Sequence, residues 1–261
     1  MSLRMQLFAH RGAGKQAPEN TLLALRQGAT AGFAAVEFDA MPTADGRLVL
    51  HHDWQVGRTL QPRPGRVVEG QPLFERKRII ELNYSDLQHF EAGSWLSPAF
   101  AGEPLPLLSE ALAACAELKL EVNLEVKLDM DSGLYDAARL ATTAGLFISA
   151  VAASPYAGTD RLVMSSFCIE GLEALRRAGY CGRLAVLFED LPDNWATIAR
   201  ELDAEAVHLH HSHVTAEVVR RIHTTRRQVR VYTVNNLQGL KSLDALGVDA
   251  CFTDEMGFSA L

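Results

Sequence analysis

The sequence predicts an α/β protein: a closed (β/α)8 TIM barrel with a small segment inserted after the second strand. Three observations predict it. Short apolar runs alternate with amphipathic stretches along most of the chain, the order that gives a parallel sheet with crossover helices. Eight such strand-plus-helix units follow one another. The length, 261 residues, matches the roughly 250 that one such barrel occupies. An open doubly wound sheet is the alternative, and the number of units favours closure.

Residues 5–9 read as the first strand. A helix is expected over 21–30, with Asn20 as its N-cap and Pro18 just outside. Residues 35–39 form the second strand, and 48–51 a short extension after the turn dipeptide Asp45-Gly46. From 54 to 106 the pattern is broken by prolines and glycines that include Pro62, Pro64, Gly65, Gly70, Pro72, Pro98 and Pro104. That stretch is too long for a simple loop, so it reads as an insertion with small structures of its own, within one barrel domain spanning 1–261.

Regular alternation then resumes. Leu108, Leu112 and Cys115 recur at helical spacing. Strands are expected at 121–126, 162–165, 184–188, 206–210, 229–234 and 250–253. The helices between them cover 133–143, the turns marked by Leu172, Leu175 and Ala178, then 194–202, 216–223 and 237–246, the last closed by Gly247.

Composition narrows the function. The chain is 48% hydrophobic and 22% charged, with a net charge of −7. A protein that binds nucleic acid broadly carries a basic footprint, and none is present globally. A small anionic substrate remains compatible, because a few local cations can hold it against the overall sign. Cys115, Cys168, Cys181 and Cys251 have neither metal-ligand nor disulfide-framework spacing. With no apolar run near 18 residues, the expectation is a cytoplasmic protein with no stable membrane association.

Active sites of βα barrels lie at the C-terminal ends of the strands. The first strand ends in His10-Arg11-Gly12, the second carries Glu37 and Asp39, the third carries Glu125 and Lys127, and the extension leads into His52-Asp53. Glu37 and Asp39 are two residues apart, as are Glu125 and Lys127, so each pair shares one face of its strand. Carboxylates placed side by side repel unless a proton or cation separates them. A hard divalent cation, Mg2+ or Ca2+, suits three such acids. A lone acid at a strand end is as often a rim salt bridge. Three acids with two cations and two histidines are harder to explain that way. Arg11 and Lys127 are placed to hold a phosphate, and His10 and His52 to act as a base and acid pair.

These residues resemble the glycerophosphodiester phosphodiesterase family. His10-Arg11-Gly12, Pro18-Glu19-Asn20-Thr21, Glu37-Phe38-Asp39 and His52-Asp53 are similar to its opening, and Asn123-Leu124-Glu125-Val126-Lys127 to its third strand. Ser165-Ser166-Phe167, Tyr232-Thr233-Val234-Asn235 and Thr253-Asp254 continue the likeness, as do Ala92-Gly93-Ser94-Trp95 and the stretch from Gly102 to Pro106. It is closest to the family's bacterial cytoplasmic enzyme. His51 and Leu107 depart from it, where the family often has an apolar residue and a threonine cap.

The resemblance implies one divalent metal on Glu37, Asp39 and Glu125, proton transfer by His10 and His52, and Arg11 on the phosphate. It implies a small-molecule glycerophosphodiester substrate, with the glycerol 2-hydroxyl attacking internally to give a cyclic phosphate that water opens. Two rivals are a lyase that stops at the cyclic phosphate and an inactive scaffold domain. The scaffold is disfavoured because all five acids and histidines are present.

Other signals carry less. Gly12-Ala13-Gly14-Lys15 lacks the spacing of a nucleotide phosphate loop. His208, His210, His211 and His213 cluster at the sixth strand's end, but no partner set outside the proposed site completes a zinc centre. One of these histidines is expected to line the substrate pocket. Trp54, Trp95 and Phe100 read as packing residues of an insertion that covers the site.

Overall fold

A computed structural model of the chain describes residues 3–63 and 77–261. Its strands are β1 (Gln6–Ala9), β2 (Ala35–Pro42), β3 (Leu48–Leu50), β4 (Gln61–Pro62), β5 (Phe90–Glu91), β6 (Glu121–Val126), β7 (Leu162–Ser166), β8 (Arg183–Phe188), β9 (Ala206–His210), β10 (Gln228–Tyr232) and β11 (Ala250–Thr253). β1 pairs in parallel with β11 on one side and β2 on the other, and the ring continues through β6, β7, β8, β9 and β10. This is the closed eight-stranded barrel that the alternation predicts. β3 adds to β2 antiparallel, and β4 pairs with β5 in a separate two-stranded ribbon.

Strands of a closed parallel barrel are covered on both faces, so they read as nearly continuous apolar runs. All eight residues of β2 are buried. That makes Glu37 and Asp39, in the middle of AVEFDAMP, exceptions to the burial rule rather than part of an alternating pattern.

The helices are α1 (Leu22–Ala31), α2 (Tyr84–Leu87), α3 (Leu108–Glu117), α4 (Ala137–Ala152), α5 (Ile169–Arg177), α6 (Trp195–Glu201), α7 (Ala216–His223) and α8 (Leu237–Leu246). α1 is capped by Thr21, whose side chain accepts from the Ala24 N–H. Asn20, the expected cap, stands one residue earlier with φ 58° and turns its amide to Asp39. The helix expected over 133–143 starts later and runs longer. Gly133 ends a 3-10 turn in the left-handed region, and the Asp136 side chain then caps α4 by accepting from the Arg139 N–H. β10 stops at Tyr232, two residues short of expectation. Leu107 makes no side-chain cap to α3, but Glu110 accepts from its N–H, so half of a capping box survives.

Part of the insertion carries its own apolar cluster. Val56, Leu60, Ile79, Leu82, Leu87, Phe90, Ala92 and Leu105 pack against Met41 and Val49 of β2 and β3. Residues 64–76 of the insertion lie outside the described residues. No helix among the described residues is long and apolar enough to cross a membrane.

The barrel interior holds charges at both ends. At the N-terminal ends of the strands, fully buried Arg230 donates to Glu205 at 2.7 Å and to Gln228 at 2.8 Å. Arg183 pairs with Glu205 and with Glu121 (3.3 Å), and Gln6 donates to Glu121 at 2.9 Å. The C-terminal ends are arranged differently.

Candidate active site

Three carboxylates meet where β2 and β6 lie side by side. The register sets Glu37 beside Asn123 and Asp39 beside Glu125. Glu37, Asp39 and Glu125 each offer an oxygen within 4.8 Å of the other two. Glu37 and Asp39 are 4% and 1% exposed. Burial raises Glu37 well above the usual carboxylate range, and repulsion from Asp39 and Glu125 adds to it. Burial and Asp39 raise Glu125 as well, although Lys127 opposes the shift. Burial would also lift Asp39, but Lys127, His52 and Arg11 hold it below normal. The neighbouring cations therefore stabilise one ionised acid and leave the other two resisting ionisation.

Lys127 lies 3.1 Å from Glu125 and 3.8 Å from Asp39, under the ring of Trp54 at 5.0 Å. Trp54, expected only to pack, thus also makes a cation–π contact with the Lys127 that lines the cleft. Arg11 has a left-handed backbone, φ 52°, unusual for a long side chain. That bend aims its N–H at Glu37 (2.9 Å) and its guanidinium at Glu19 (2.7 Å). Gly12 follows with φ 94°, and a Cβ there would sit within 2.8–2.9 Å of Ala24 and Leu25. The glycines after Arg11 thus let this loop press against α1 and the Asp254 backbone, which is the packing alternative to a phosphate loop.

Each histidine has its own aspartate. Asp254 accepts from His10 Nδ1–H at 2.7 Å, and is itself fixed by the Asn235 amide at 2.7 Å. With Nδ1 engaged, His10 Nε2 faces Glu37 at 3.8 Å. His52 Nδ1 meets Asp53 at 2.7 Å. Arg58 then spans Asp53 (2.8 Å) and Glu19 (2.7 Å), and Glu19 holds Arg11, so one chain of ion pairs runs from His52 to Arg11. Arg58 hydrogen bonds hold Glu19 below the usual range against its burial. His51, next to His52, is buried, and burial pushes it down to about 4.

All seven predicted site residues come together here; His10, Arg11, Glu37, His52, Glu125 and Lys127 line one cleft of about 200 Å³, and Asp39 lies beneath them. Asn123, Phe167, His208 and Tyr232 are among the residues that line the rest of it. His208 is thus the member of the histidine cluster that reaches the pocket. It is 1% exposed, lies against Phe252 with ring centroids 5.2 Å apart, and is pushed well down by burial. Glu19, Asn123, Asn235 and Asp254 stand inside the family-like motifs with no role legible from the sequence, and Arg58 stands outside them.

The trio fits a hard divalent cation on chemical grounds. Its donors are all carboxylate oxygens, and two of the three acids resist ionisation with only side-chain cations nearby. The Arg11 Nε and the Asn123 Oδ1 have no hydrogen-bond partner among the described residues. Both are buried polar atoms beside the cleft with bonding capacity left.

The Glycerophosphoryl diester phosphodiesterase family model matches residues 10–258. A glycerophosphodiester phosphodiesterase from Bacillus altitudinis is 26% identical over 252 residues, covering 95% of this chain and 94% of its own. Another, from Caldanaerobacter subterraneus subsp. tengcongensis, is 24% identical over 256 residues, covering 97% and 95%. A phosphodiesterase from Oleispira antarctica, solved in complex with the product sn-glycerol-3-phosphate, matches the fold with a TM-score of 0.83 at 26% identity, over 98% of this chain and 94% of that one.

Proposed function

The chain belongs to the glycerophosphoryl diester phosphodiesterase family, and on that premise we propose that it hydrolyses glycerophosphodiesters to sn-glycerol 3-phosphate and an alcohol. Glu37, Asp39 and Glu125, whose oxygens lie within 4.8 Å of one another, would hold one divalent cation, Mg2+ or Ca2+. When bound, the cation neutralises charge on the phosphoryl group and polarises it for attack. Arg11 and Lys127 hold the phosphate oxygens between them. His10 Nε2 takes the proton from the glycerol 2-hydroxyl as its oxygen bonds to phosphorus. The bond from phosphorus to the alcohol oxygen breaks, and His52 gives that oxygen a proton. Water then opens the cyclic phosphate with the two histidines in reversed roles, which regenerates both.

The observation that carries this reading is the paired fixing of the histidines. Each has Nδ1 held by its own aspartate, so each Nε2 is left for proton transfer in the same cleft. A base must present its lone pair and an acid its proton in a fixed direction, and an aspartate behind the ring supplies that orientation. We further propose a cytoplasmic enzyme acting on soluble, deacylated diesters, a reading that the exposed unpaired thiol of Cys181 supports. Recovery of the native protein in a periplasmic fraction would defeat that part.

The test is a phosphorus NMR product assay on glycerophosphocholine, glycerophosphoethanolamine and glycerophosphoglycerol, with and without EDTA. The expected product is sn-glycerol 3-phosphate, formed only without the chelator. Accumulation of cyclic phosphate as the end product identifies a lyase instead, and full activity in EDTA removes the cation from the reading.

A further inference from the structure

The histidine cluster after β9 lacks a partner in the sequence, and the fold supplies one. His210 ends β9 and precedes the 3-10 turn His211–His213, so His210 and His213 stand three residues apart. In a 3-10 turn that spacing brings two side chains into line. Glu189 follows directly after β8, the strand beside β9. Its carboxylate and one ring nitrogen of each of the two histidines lie within 4.8 Å of one another.

His210 is also oriented as a ligand. Its Nδ1 meets the Ser212 hydroxyl at 2.7 Å and the Ser212 N–H at 3.4 Å, while His213 Nδ1 lies 3.6 Å from Asp190, an ion-pair separation and not a hydrogen bond. Metal-binding histidines commonly have one nitrogen held by an oxygen behind the ring so that the other points at the ion, and the Ser212 hydroxyl stands so behind His210. Neither Nε2 has a hydrogen-bond partner among the described residues. Two imidazoles and one carboxylate with open positions suit a borderline transition-metal ion, whereas the all-oxygen trio suits a hard one.

We propose that Glu189, His210 and His213 form a second metal site, for Zn2+ or an ion of similar softness, at the rim of the catalytic cleft. Such an ion ties the loop after β8 to the loop after β9. Tyr232 already links these elements to the cleft it lines. Its hydroxyl donates to the Phe188 carbonyl at 2.9 Å, and its ring packs edge-on against His210 with centroids 5.8 Å apart. The site does not depend on the proposed reaction, because none of its three ligands belongs to the catalytic set.

The experiment titrates chelator-stripped full-length protein with Zn2+ against a chromophoric competitor, in excess Mg2+ so that the carboxylate trio stays with a hard ion. One bound Zn2+ is expected. His210→Ala and His213→Ala should each weaken it by at least roughly 10-fold, and Ser212→Ala by about 10-fold through the lost support of His210. Co2+ in place of Zn2+ should give a visible absorption band in the parent that both histidine variants lose. Far-UV circular dichroism of each variant checks that it is folded. The proposal is overturned if the parent binds no Zn2+, if folded His210→Ala and His213→Ala bind it as the parent does, or if binding is abolished by Glu37→Gln instead.

Discussion

At the N-terminal end of the barrel, Arg230 and Arg183 meet Glu205 and Glu121, and each carboxylate has a guanidinium within reach. At the C-terminal end, Glu37, Asp39 and Glu125 crowd together while Arg11 is drawn aside to Glu19 and Lys127 is shared between two acids. Both ends hold charges in low-dielectric surroundings, where an uncompensated one is costly. The N-terminal end sets two guanidiniums against two carboxylates, although burial still lowers Arg230, and so contributes to holding the strands in register. The C-terminal end crowds three acids together, and burial first, then their mutual repulsion, raises Glu37 and Glu125. The difference separates charges that serve the fold from charges kept for a ligand.

The largest effect expected from breaking this contrast is on activity at the C-terminal end. Glu37→Gln should lower kcat/KM for glycerophosphocholine by at least about 10³-fold, the scale of several kcal/mol of lost charge stabilisation. Steady-state kinetics in Mg2+ check it, and near-normal turnover would dissolve the distinction between the two ends.

Next come the histidines. His10→Ala and His52→Ala should each lose about 10²–10⁴-fold in turnover while cation binding survives. A nitrophenyl leaving group needs little protonation, so it should rescue His52→Ala and leave His10→Ala impaired. Rescue of His10→Ala instead reverses the roles.

At the other end the readout changes from activity to stability. Glu205→Ala leaves Arg230 buried without its carboxylate, at a cost of roughly 3 kcal/mol. Urea unfolding should register that loss, while turnover per folded molecule stays close to the parent's. A variant that loses turnover without losing stability would show that this network serves the chemistry after all.

The smallest effect is expected at His51. Burial keeps it neutral down to about 4, so it takes no part in titration between about pH 5 and 8. His51→Leu should leave both limbs of the pH–rate profile where they are.

The C-terminal side of this contrast is legible in the sequence, and what is not legible has a physical reason. The i, i+2 spacing of Glu37 and Asp39 inside a buried strand announces an inward pair, because period-2 geometry is local. His10 and Asp254 are 244 positions apart and meet only once β1 closes on β11. Arg58 joins Glu19 and Asp53 across the insertion, where Pro and Gly erase any periodicity. Asn20 and Thr21 are both good cap residues; Thr21 caps α1 while the Asn20 amide is engaged with Asp39, a contact that composition cannot reveal. Glu189 likewise joins His210 and His213 only through the adjacency of β8 and β9.

The central claim is that the carboxylate trio is built for a cation and works against the fold without one. A carboxyl whose pKa is higher in the folded chain holds its proton more tightly there. Its contribution favours the fold at low pH and is lost as pH rises from the unfolded value of 4.5 toward the raised one, for both Glu37 and Glu125. Asp39 runs the other way, losing its contribution as pH falls below its ordinary 3.8. The direct measurement is thermal melting of the parent and Glu37→Gln in EDTA at about pH 5 and about pH 8, then with Mg2+ or Ca2+. In EDTA at the higher pH the variant should melt above the parent, and the gap should narrow at the lower pH. The cation should then stabilise the parent, by about 2.7 kcal/mol at 100 times its Kd, and leave the variant nearly unchanged. A parent that melts at or above the variant in EDTA at the higher pH, and that gains nothing from either cation, would mean that the trio is compensated from within, as the N-terminal network is.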